Sequence, residues 1–320
     1  MILCCGEALI DMIPAPMAAK GQGKGGQGYV PHVGGSVLNT ALALGRLGVA
    51  TGLLTGLSSD RFGTLIGDSL RASQVDMTPA VRSDRPTTLA FVHLDGDEAS
   101  YSFYDECSAT RQIVPGDLPP LPETTEALFF GGISLCNRPV ADTLEGLATT
   151  GAGRVPVMLD PNIRPGFAID CATYRDRLNR LIGLADIVKV SDPDTEWLLP
   201  DLPDPEMRAR HLLTLGPALV IRTRGDKGAV ALSGDHRVEI AAPKVQVADT
   251  IGAGDAFNAG VLARLAALGL LDCTRLRTLT PATLRDVLGH AAQVAALTVT
   301  RSGANPPWAH ELADANTPET

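Results

Sequence analysis

The sequence predicts an α/β fold, a mostly parallel sheet with helices on both faces and a small β lid, and three observations predict it. Short apolar runs bounded by turn residues alternate with segments of helical spacing through the first two thirds of the chain. These runs are apolar at nearly every position, as strands covered on both sides are, instead of alternating with polar residues. One stretch breaks the alternation: two β-rich runs, Thr88–Leu94 and Ser100–Tyr104, flank Asp95-Gly96-Asp97 and read as a hairpin outside the main series. With 320 residues, 45% of them hydrophobic, the chain can bury one large core, and a single domain over residues 1–320 is expected.

The elements follow in order. Ile2–Ile13 is apolar and stops at Pro14 and Pro16, so it reads as one buried strand entering a loop. Residues 17–33 are rich in Gly and Lys, and with the hairpin they are expected to form a lid drawn from about 14–33 and 86–112. Further strands are expected at Gly52–Leu57, Ala127–Phe130, Val155–Leu159, Asp186–Val190 and Ala218–Thr223. The helices between them are expected at Val37–Leu47, Phe62–Ala72, Val140–Ala148, Tyr174–Leu184 and Met207–Leu215. Two Ala/Leu-rich helices, Asp255–Leu268 and Leu284–Leu297, close the chain.

Composition excludes some functions. Twenty-seven basic against 36 acidic residues gives a net charge of −9, with no basic block, which argues against nucleic acid and anionic membranes as partners. No uncharged apolar run reaches the roughly 18 residues that a membrane helix needs. Glu7 and Asp11 interrupt the first apolar stretch and no basic segment precedes it, so it does not read as a signal peptide. The six cysteines form no CxxC pair and have no His at ligand spacing, so they read as reduced thiols, and the expected location is cytoplasmic. Gly21-Gln22-Gly23-Lys24-Gly25-Gly26 satisfies the dinucleotide pattern G-x-G-x-x-G, but prolines part it from the strand and no helix follows, so it reads as a loop. The Walker and GxSxG motifs are absent.

The informative segment is Asp249-Thr250-Ile251-Gly252-Ala253-Gly254-Asp255-Ala256-Phe257. Its Gly-Ala-Gly triplet stands where an apolar helix must begin, so free N–H groups and the helix dipole make an anion site there. Asp255 falls in the same first turn, and with an ordinary pKa of about 3.9 it would be ionised at neutral pH without tuning. Phosphoryl transfer needs both parts: an anion hole for the migrating group and a base for the attacking hydroxyl.

Those residues resemble the second signature of the PfkB, or ribokinase-like, carbohydrate kinases. Gly34-Gly35-Ser36-Val37-Leu38-Asn39-Thr40-Ala41, continuing to Gly48, resembles the first. The likeness extends through Gly6-Glu7-Ala8-Leu9-Ile10-Asp11, Asp160-Pro161-Asn162-Ile163-Arg164, Thr223-Arg224-Gly225 and Arg301-Ser302-Gly303. It implies a Rossmann-like core with a β lid, ATP and Mg2+ as cosubstrates, and transfer to a hydroxymethyl group. Asp255 would then be the catalytic base, with Gly252, Ala253, Gly254 and Arg164 acting on the phosphoryl group. Sugar would be held by Asp11, Gly34, Gly35, Asn39, Tyr101, Phe103, Arg164 and Asp255. From the residues alone, Ser36 after the double glycine reads as the N-cap of the following helix. The nucleotide would meet Lys189, Ser191, Thr223, Gly225, Gly228, Gly252 and Gly254, with His290 near the adenine.

The family's N-x-x-E metal-linked pair appears here as Ser191 and Asp194, a departure that leaves open whether Asp194 or Glu196 is the working acid. Some members also bind a monovalent cation such as K+, for which Asp249, Ile251, Thr298, Arg301 and Gly303 match. The whole-chain pattern looks most like bacterial fructokinases, acting on D-fructose. The alternatives are a 2-keto-3-deoxygluconate kinase, whose acidic substrate would call on Arg111 or Arg164, a nucleoside kinase or ribokinase, and a catalytically dead binding module. The hairpin's edge and aromatic residues invite a homodimer.

Overall fold

The computed structural model describes residues 1–16, 27–95 and 98–315. In the first half, the strands are β1 (Ile2–Cys5), β2 (Leu9–Pro16), β3 (Gln27–Gly34), β4 (Thr51–Leu54), β5 (Gly56–Ser58), β6 (Val81–Ser83), β7 (Thr88–Asp95) and β8 (Glu98–Tyr104). In the second, they are β9 (Ala127–Gly131), β10 (Val157–Asp160), β11 (Ile187–Ser191), β12 (Leu219–Thr223), β13 (Ala229–Ser233) and β14 (His236–Ile240). Helices α1 (Ser36–Arg46), α2 (Arg61–Ala72), α3 (Val140–Gly151), α4 (Cys171–Leu184) and α5 (Asp192–Leu198) are followed by α6 (Pro205–Thr214), α7 (Ala253–Ala267), α8 (Pro281–Val299) and α9 (Ala309–Ala315).

Eight strands form the central sheet in the order β14-β13-β12-β11-β10-β9-β1-β4. All neighbours from β12 to β4 pair in parallel, and only β13 and β14 are antiparallel. Alternate residues feed two cores. Ile2, Cys4, Phe129 and Ile187 pack under α1, α2, α7 and α8, while Leu3, Leu128, Phe130 and Val188 pack under α3, α4 and α6. Burial on both faces is why these strands read as unbroken apolar runs.

The lid is a second sheet of order β3-β2-β7-β8. The expected hairpin is present, with β7 and β8 antiparallel from Leu89 opposite Tyr104 to Asp95 opposite Glu98. The run Ile2–Ile13 is not one strand, however. It breaks after β1, where Gly6 threads between Val37 and Ser134 and a Cβ would lie 2.6 Å from Val37 Cγ2. Beyond the break β2 leaves the central sheet for the lid, so the lid begins at Leu9 and not near residue 14. Gly52–Leu57 likewise divides into β4 and β5. The β13–β14 hairpin was not anticipated, although Gly234-Asp235 between two β-rich runs is its turn signal. The Gly-rich pattern at 21–26 lies outside the described residues. Among those described, no helix is long and apolar enough to cross a membrane.

Candidate active site

A cleft of about 270 Å3 opens between the carboxyl ends of the central strands and the lid. Helix α1 supplies one wall. Gly35, at φ 108°, is its N-cap. A Cβ there would press on the Glu7 carbonyl oxygen at 3.0 Å, and one on Gly34 would run into Asp11 Oδ2. Ser36 is therefore the first helical residue and not the cap. Its Oγ donates to Asp255 Oδ1 at 2.9 Å, and Asn39 Nδ2 donates to Asp255 Oδ2 at 2.9 Å. The other end of the Asn39 amide, Oδ1, is buried and has no partner among the described residues. Asn39 itself lines the cleft.

Sequence reasoning missed Glu7. Its buried carboxylate accepts from the backbone N–H of Ser36 (3.1 Å) and from the N–H and hydroxyl of Ser134 (3.2 and 2.8 Å). Burial pushes its pKa up against those hydrogen bonds. The N-terminus of α1 is thus met internally by an acid, whereas that of α7 faces the cleft without a side-chain cap. A charged residue inside an otherwise apolar run was the signal for Glu7.

The second wall is the first turn of α7. Gly252 caps it in the left-handed region at φ 77°, without a side-chain capping bond. A Cβ at Gly252 would lie 2.7 Å from Ala304 Cβ, so this bend demands glycine. The N–H groups of Gly254 and Asp255 have no acceptor within the helix. Asp255, the third helical residue, is only 8% exposed. Burial lifts its pKa to about 6, with Asp160 adding to the rise and Asn39, Ser36 and Lys189 opposing it. The expectation of an untuned carboxylate is corrected: this acid is poised just below neutrality.

Below this turn, Lys189 of β11 extends its ammonium to Asp160 Oδ2 at 2.9 Å. Asp11 of β2 faces the cleft with its pKa raised to about 6 by burial. Tyr101 and Phe103 of β8 form the lid-side wall, their rings stacked at 6.0 Å, and Phe103 meets Phe167 edge-on at 4.6 Å. Arg164 also lines the cleft, its guanidinium donating to the carbonyl of Ile163 at 3.1 Å. It has no carboxylate partner within 4.0 Å among the described residues. A buried acid held by Ser36 and Asn39, an open helix N-terminus and two cations around one cleft can hold an anion while removing a proton from a hydroxyl.

Residues 1–311 match the model of the pfkB family carbohydrate kinases. The chain belongs to that family, and it is a carbohydrate kinase. A fructokinase from Rhizobium leguminosarum bv. trifolii is 43% identical over 286 residues, covering 89% of this chain and 86% of the relative. A fructokinase from Klebsiella pneumoniae is 32% identical over 274 residues, 83% of this chain and 85% of that protein. Among solved structures, a fructokinase with bound ATP from Xylella fastidiosa superposes with a TM-score of 0.89 at 29% identity, covering 98% of this chain and 97% of its own. A double mutant of the Vibrio cholerae O395 fructokinase, with fructose, ADP and a potassium ion bound, gives 0.80 at 27% identity, covering 95% and 93%.

Other candidates of this kinase lie away from the cleft. Thr223 ends β12 beside Ser191 on the same edge of the sheet, and Gly225 and Gly228 follow it in a turn. Gly228, at φ 87°, passes so close to the Ile240 carbonyl that a Cβ would collide. Asp194 is buried and spent on the protein. Its Oδ1 accepts from the Ile163 N–H at 2.8 Å, and its Oδ2 from the Ser191 N–H at 2.8 Å and Oγ at 2.5 Å. Ser191 and Asp194 therefore form the capping box of α5. Glu196 is exposed on α5 and does not reach the cleft. No group of three potential ligands is arranged to hold a metal among the described residues.

His290 is corrected as well. It lines a separate groove with Ala50, Glu126 and Arg264, at the opposite ends of the strands, so it cannot meet a nucleotide in the cleft. The Asp249 carboxylate does draw its matching loops together, accepting from the N–H groups of Ile251 (3.0 Å) and Gly303 (2.8 Å). The turn from Thr298 to Arg301 closes beside them through a 3.1 Å backbone bond.

Proposed function

We propose that this kinase is a fructokinase, converting D-fructose and ATP to D-fructose 6-phosphate and ADP. The observation that carries the reading is the first turn of α7, where one stretch of backbone offers an anion hole and a base. The sugar lies under the lid, its hydroxyls held by Asp11, Asn39 and the backbone at Gly34 and Gly35. Its primary hydroxyl faces Asp255. As that oxygen bonds to the γ-phosphorus, the bond to the β-phosphate oxygen breaks, ADP departs and the proton passes to Asp255. The turn Gly252-Ala253-Gly254 receives the migrating group at its free N–H groups, those of Gly254 and Asp255, since the Ala253 N–H is given to the Thr250 carbonyl at 3.3 Å, and Arg164 adds positive charge to the cleft.

Mg2+ enters with the nucleotide as its chelate. A K+ fits beside the hole at Asp249 and the carbonyls of Ile251, Thr298, Arg301 and Gly303, since no cationic side chain pairs with Asp249 among the described residues. An enzyme that spends ATP on a free sugar belongs in the cytoplasm. The outer face of the lid, where Tyr29, Phe91 and Tyr104 meet edge to face at 5.0 and 5.5 Å, serves a homodimer.

A neutral sugar suits these charges better than a sugar acid. Arg111, one of the two cations a sugar acid would call on, is engaged by Asp105 at 2.7 Å and the Arg138 carbonyl at 2.5 Å. Asp11 would repel a carboxylate brought to the sugar end. Unpaired Arg164 is the observation that favours the second reading, 2-keto-3-deoxygluconate kinase. Steady-state rates at fixed MgATP decide between them. kcat/KM for D-fructose is expected to exceed that for 2-keto-3-deoxygluconate and for nucleosides by at least ~10²-fold. Equal or reversed preference overturns fructose as the substrate.

The pH profile tests the base. Asp255 must be ionised to accept a proton, so kcat/KM is expected to rise with pH, turn over near 6 and level off above. The limb would lie near pH 4 for an untuned carboxylate. A rate that stays flat down to about pH 4.5 would put the base elsewhere.

A further inference from the structure

Between β10 and α4 the chain runs through Arg164-Pro165-Gly166-Phe167-Ala168-Ile169-Asp170. Arg164 lines the cleft, and Ile169 is 77% exposed. Only Phe167 and Ala168 pack against the core, and both are half-buried. So exposed a segment gains little from burial, and hydrogen bonds must set its position. Its two ends are held by neighbours: the Ile163 N–H donates to Asp194 at 2.8 Å, and the Asp170 carboxylate caps α4. The middle is held by Asn137, which stands in the turn between β9 and α3.

Asn137 is buried, and both ends of its amide go to that loop. Its Nδ2 donates to the Phe167 carbonyl at 2.9 Å, and its Oδ1 accepts from the Ile169 N–H at 3.0 Å. The side chain thus pairs with the loop as the peptide of a neighbouring strand would, which takes one donor and one acceptor together. These partners lie 30 and 32 residues away, so the bonds are not a local cap or turn. Asn137 is itself fixed. Its carbonyl accepts from the Ala141 N–H at 3.3 Å, and the buried Arg177 donates to the two carbonyls before it, those of Leu135 and Cys136, at 3.3 and 3.2 Å. What this grip places is Phe167. Its ring meets Phe103 of β8 edge-on at 4.6 Å, and Phe103 stacks on Tyr101, so the aromatic wall of the lid rests on this loop.

We propose that Asn137 is a positioning residue for phosphoryl transfer, holding Phe167 as the seat on which the lid closes over the sugar. The proposal rests on the kinase reading, with sugar bound under the lid. Asn137 does not line the cleft, so it acts only through the loop. A lid that lands on a fixed ring keeps water from competing with the sugar hydroxyl for the γ-phosphoryl group. Without Asn137, the Phe167 carbonyl and the Ile169 N–H turn to water and the seat shifts. Sugar is then held less tightly, and part of the ATP is hydrolysed. In that side reaction a water oxygen bonds to the γ-phosphorus, the bond to the β-phosphate oxygen breaks, and the water's proton passes to Asp255 as the sugar's would.

The test uses the full-length enzyme and the variants N137A, F167A and N137A/F167A, with MgATP and D-fructose as substrates and a thermal melt on each preparation. In N137A, KM for fructose is expected to rise ~10-fold or more while kcat falls about threefold or less. ADP released per fructose 6-phosphate formed is expected to rise above the wild-type ratio, because water now takes a share of the phosphoryl groups. ADP affinity without sugar is expected to change less than about threefold, since the nucleotide does not depend on the seat. The double variant is expected to be no worse than the poorer single one, as two residues acting through one contact do not add. Where N137A does not fold, N137D carries the same test, since it keeps the shape and the acceptor and loses only the donor to the Phe167 carbonyl. A folded variant at position 137 with KM within about threefold of wild type and an unchanged ADP ratio overturns the proposal. So does a parallel loss of fructose and ADP affinity, or a double variant in which the two losses add. A wild-type enzyme inactive on every sugar would overturn the kinase reading and this proposal with it, whereas an active wild type beside unaffected variants overturns the proposal alone.

Discussion

Replacing Asp255 with Asn is expected to cut kcat by ~10²–10⁴ while leaving the melting temperature unchanged or higher. The catalytic loss follows from the lone pair: an amide oxygen accepts a hydrogen bond but does not take a proton. The stability side follows from burial. The folded protein raises the pKa of Asp255 from 3.8 to about 6, so it binds that proton more tightly than the unfolded chain does. This group's favourable contribution is full below about pH 4 and is lost as pH rises through about 6. At neutral pH the fold therefore carries a buried charge costing on the order of 1–3 kcal/mol, which Asn removes. The clamp tolerates the change. Asn39 Nδ2 still donates to an amide oxygen, and the Ser36 hydroxyl, which now donates at 2.9 Å, can turn to accept from the new NH2. Rates and thermal melts of the two proteins at pH near 7.5 check both halves. More than a tenth of wild-type kcat would place the base elsewhere, and a lower melting temperature would mean the clamp needs the carboxylate.

What could be read from the chain, and what could not, divides along physical lines. Strands covered on both faces announce themselves as apolar runs, and the helices between them keep their spacing, so the central sheet was legible from β9 to β12. The site's glycines were legible too, because a Gly-Ala-Gly triplet before an apolar helix has few other uses. Contacts between distant segments were not. That Ser36 would bond Asp255 depends on two helices meeting end to end across 219 residues of chain, and that Glu7 would fill the N-terminus of α1 depends on Ser36 and Ser134 closing around it. The Asp255 pKa depends on the same closure, since burial is its main cause. Lys189 and Asp160 come together only through the register of β10 and β11. Ser191 and Asp194 have the spacing of a capping box, and that part of their role is local enough to read from the chain. Which side of α8 carries His290 is not local, and that side lines a groove away from the cleft.

Gly254→Val is expected to lower kcat by ~10³-fold with little change in melting temperature, the reverse of what a structural glycine would give. The two glycines of the triplet differ in kind. Gly252 holds a positive φ and abuts Ala304, so any side chain there strains the bend and the fold suffers first. Gly254 has an ordinary helical backbone, and the nearest atom to an added Cβ is Lys189 Nζ at 3.2 Å, the far end of a side chain that can yield. A valine in a helix costs less than about 1 kcal/mol in propensity, and the one neighbour its Cβ would press on, the Lys189 ammonium, need give by only a few tenths of an ångström. Its methyl groups would stand over the N–H groups where phosphoryl oxygens are to dock, and would crowd the ammonium below. Fructose affinity should persist, since Asp11 and Asn39 lie on the other wall, while ATP turnover fails. A calorimetric titration with fructose, a thermal melt and a rate assay on the same preparation separate the cases. Should turnover survive while the melting temperature collapses, Gly254 is there for packing, and the anion hole at the head of α7 is not where phosphoryl transfer takes place.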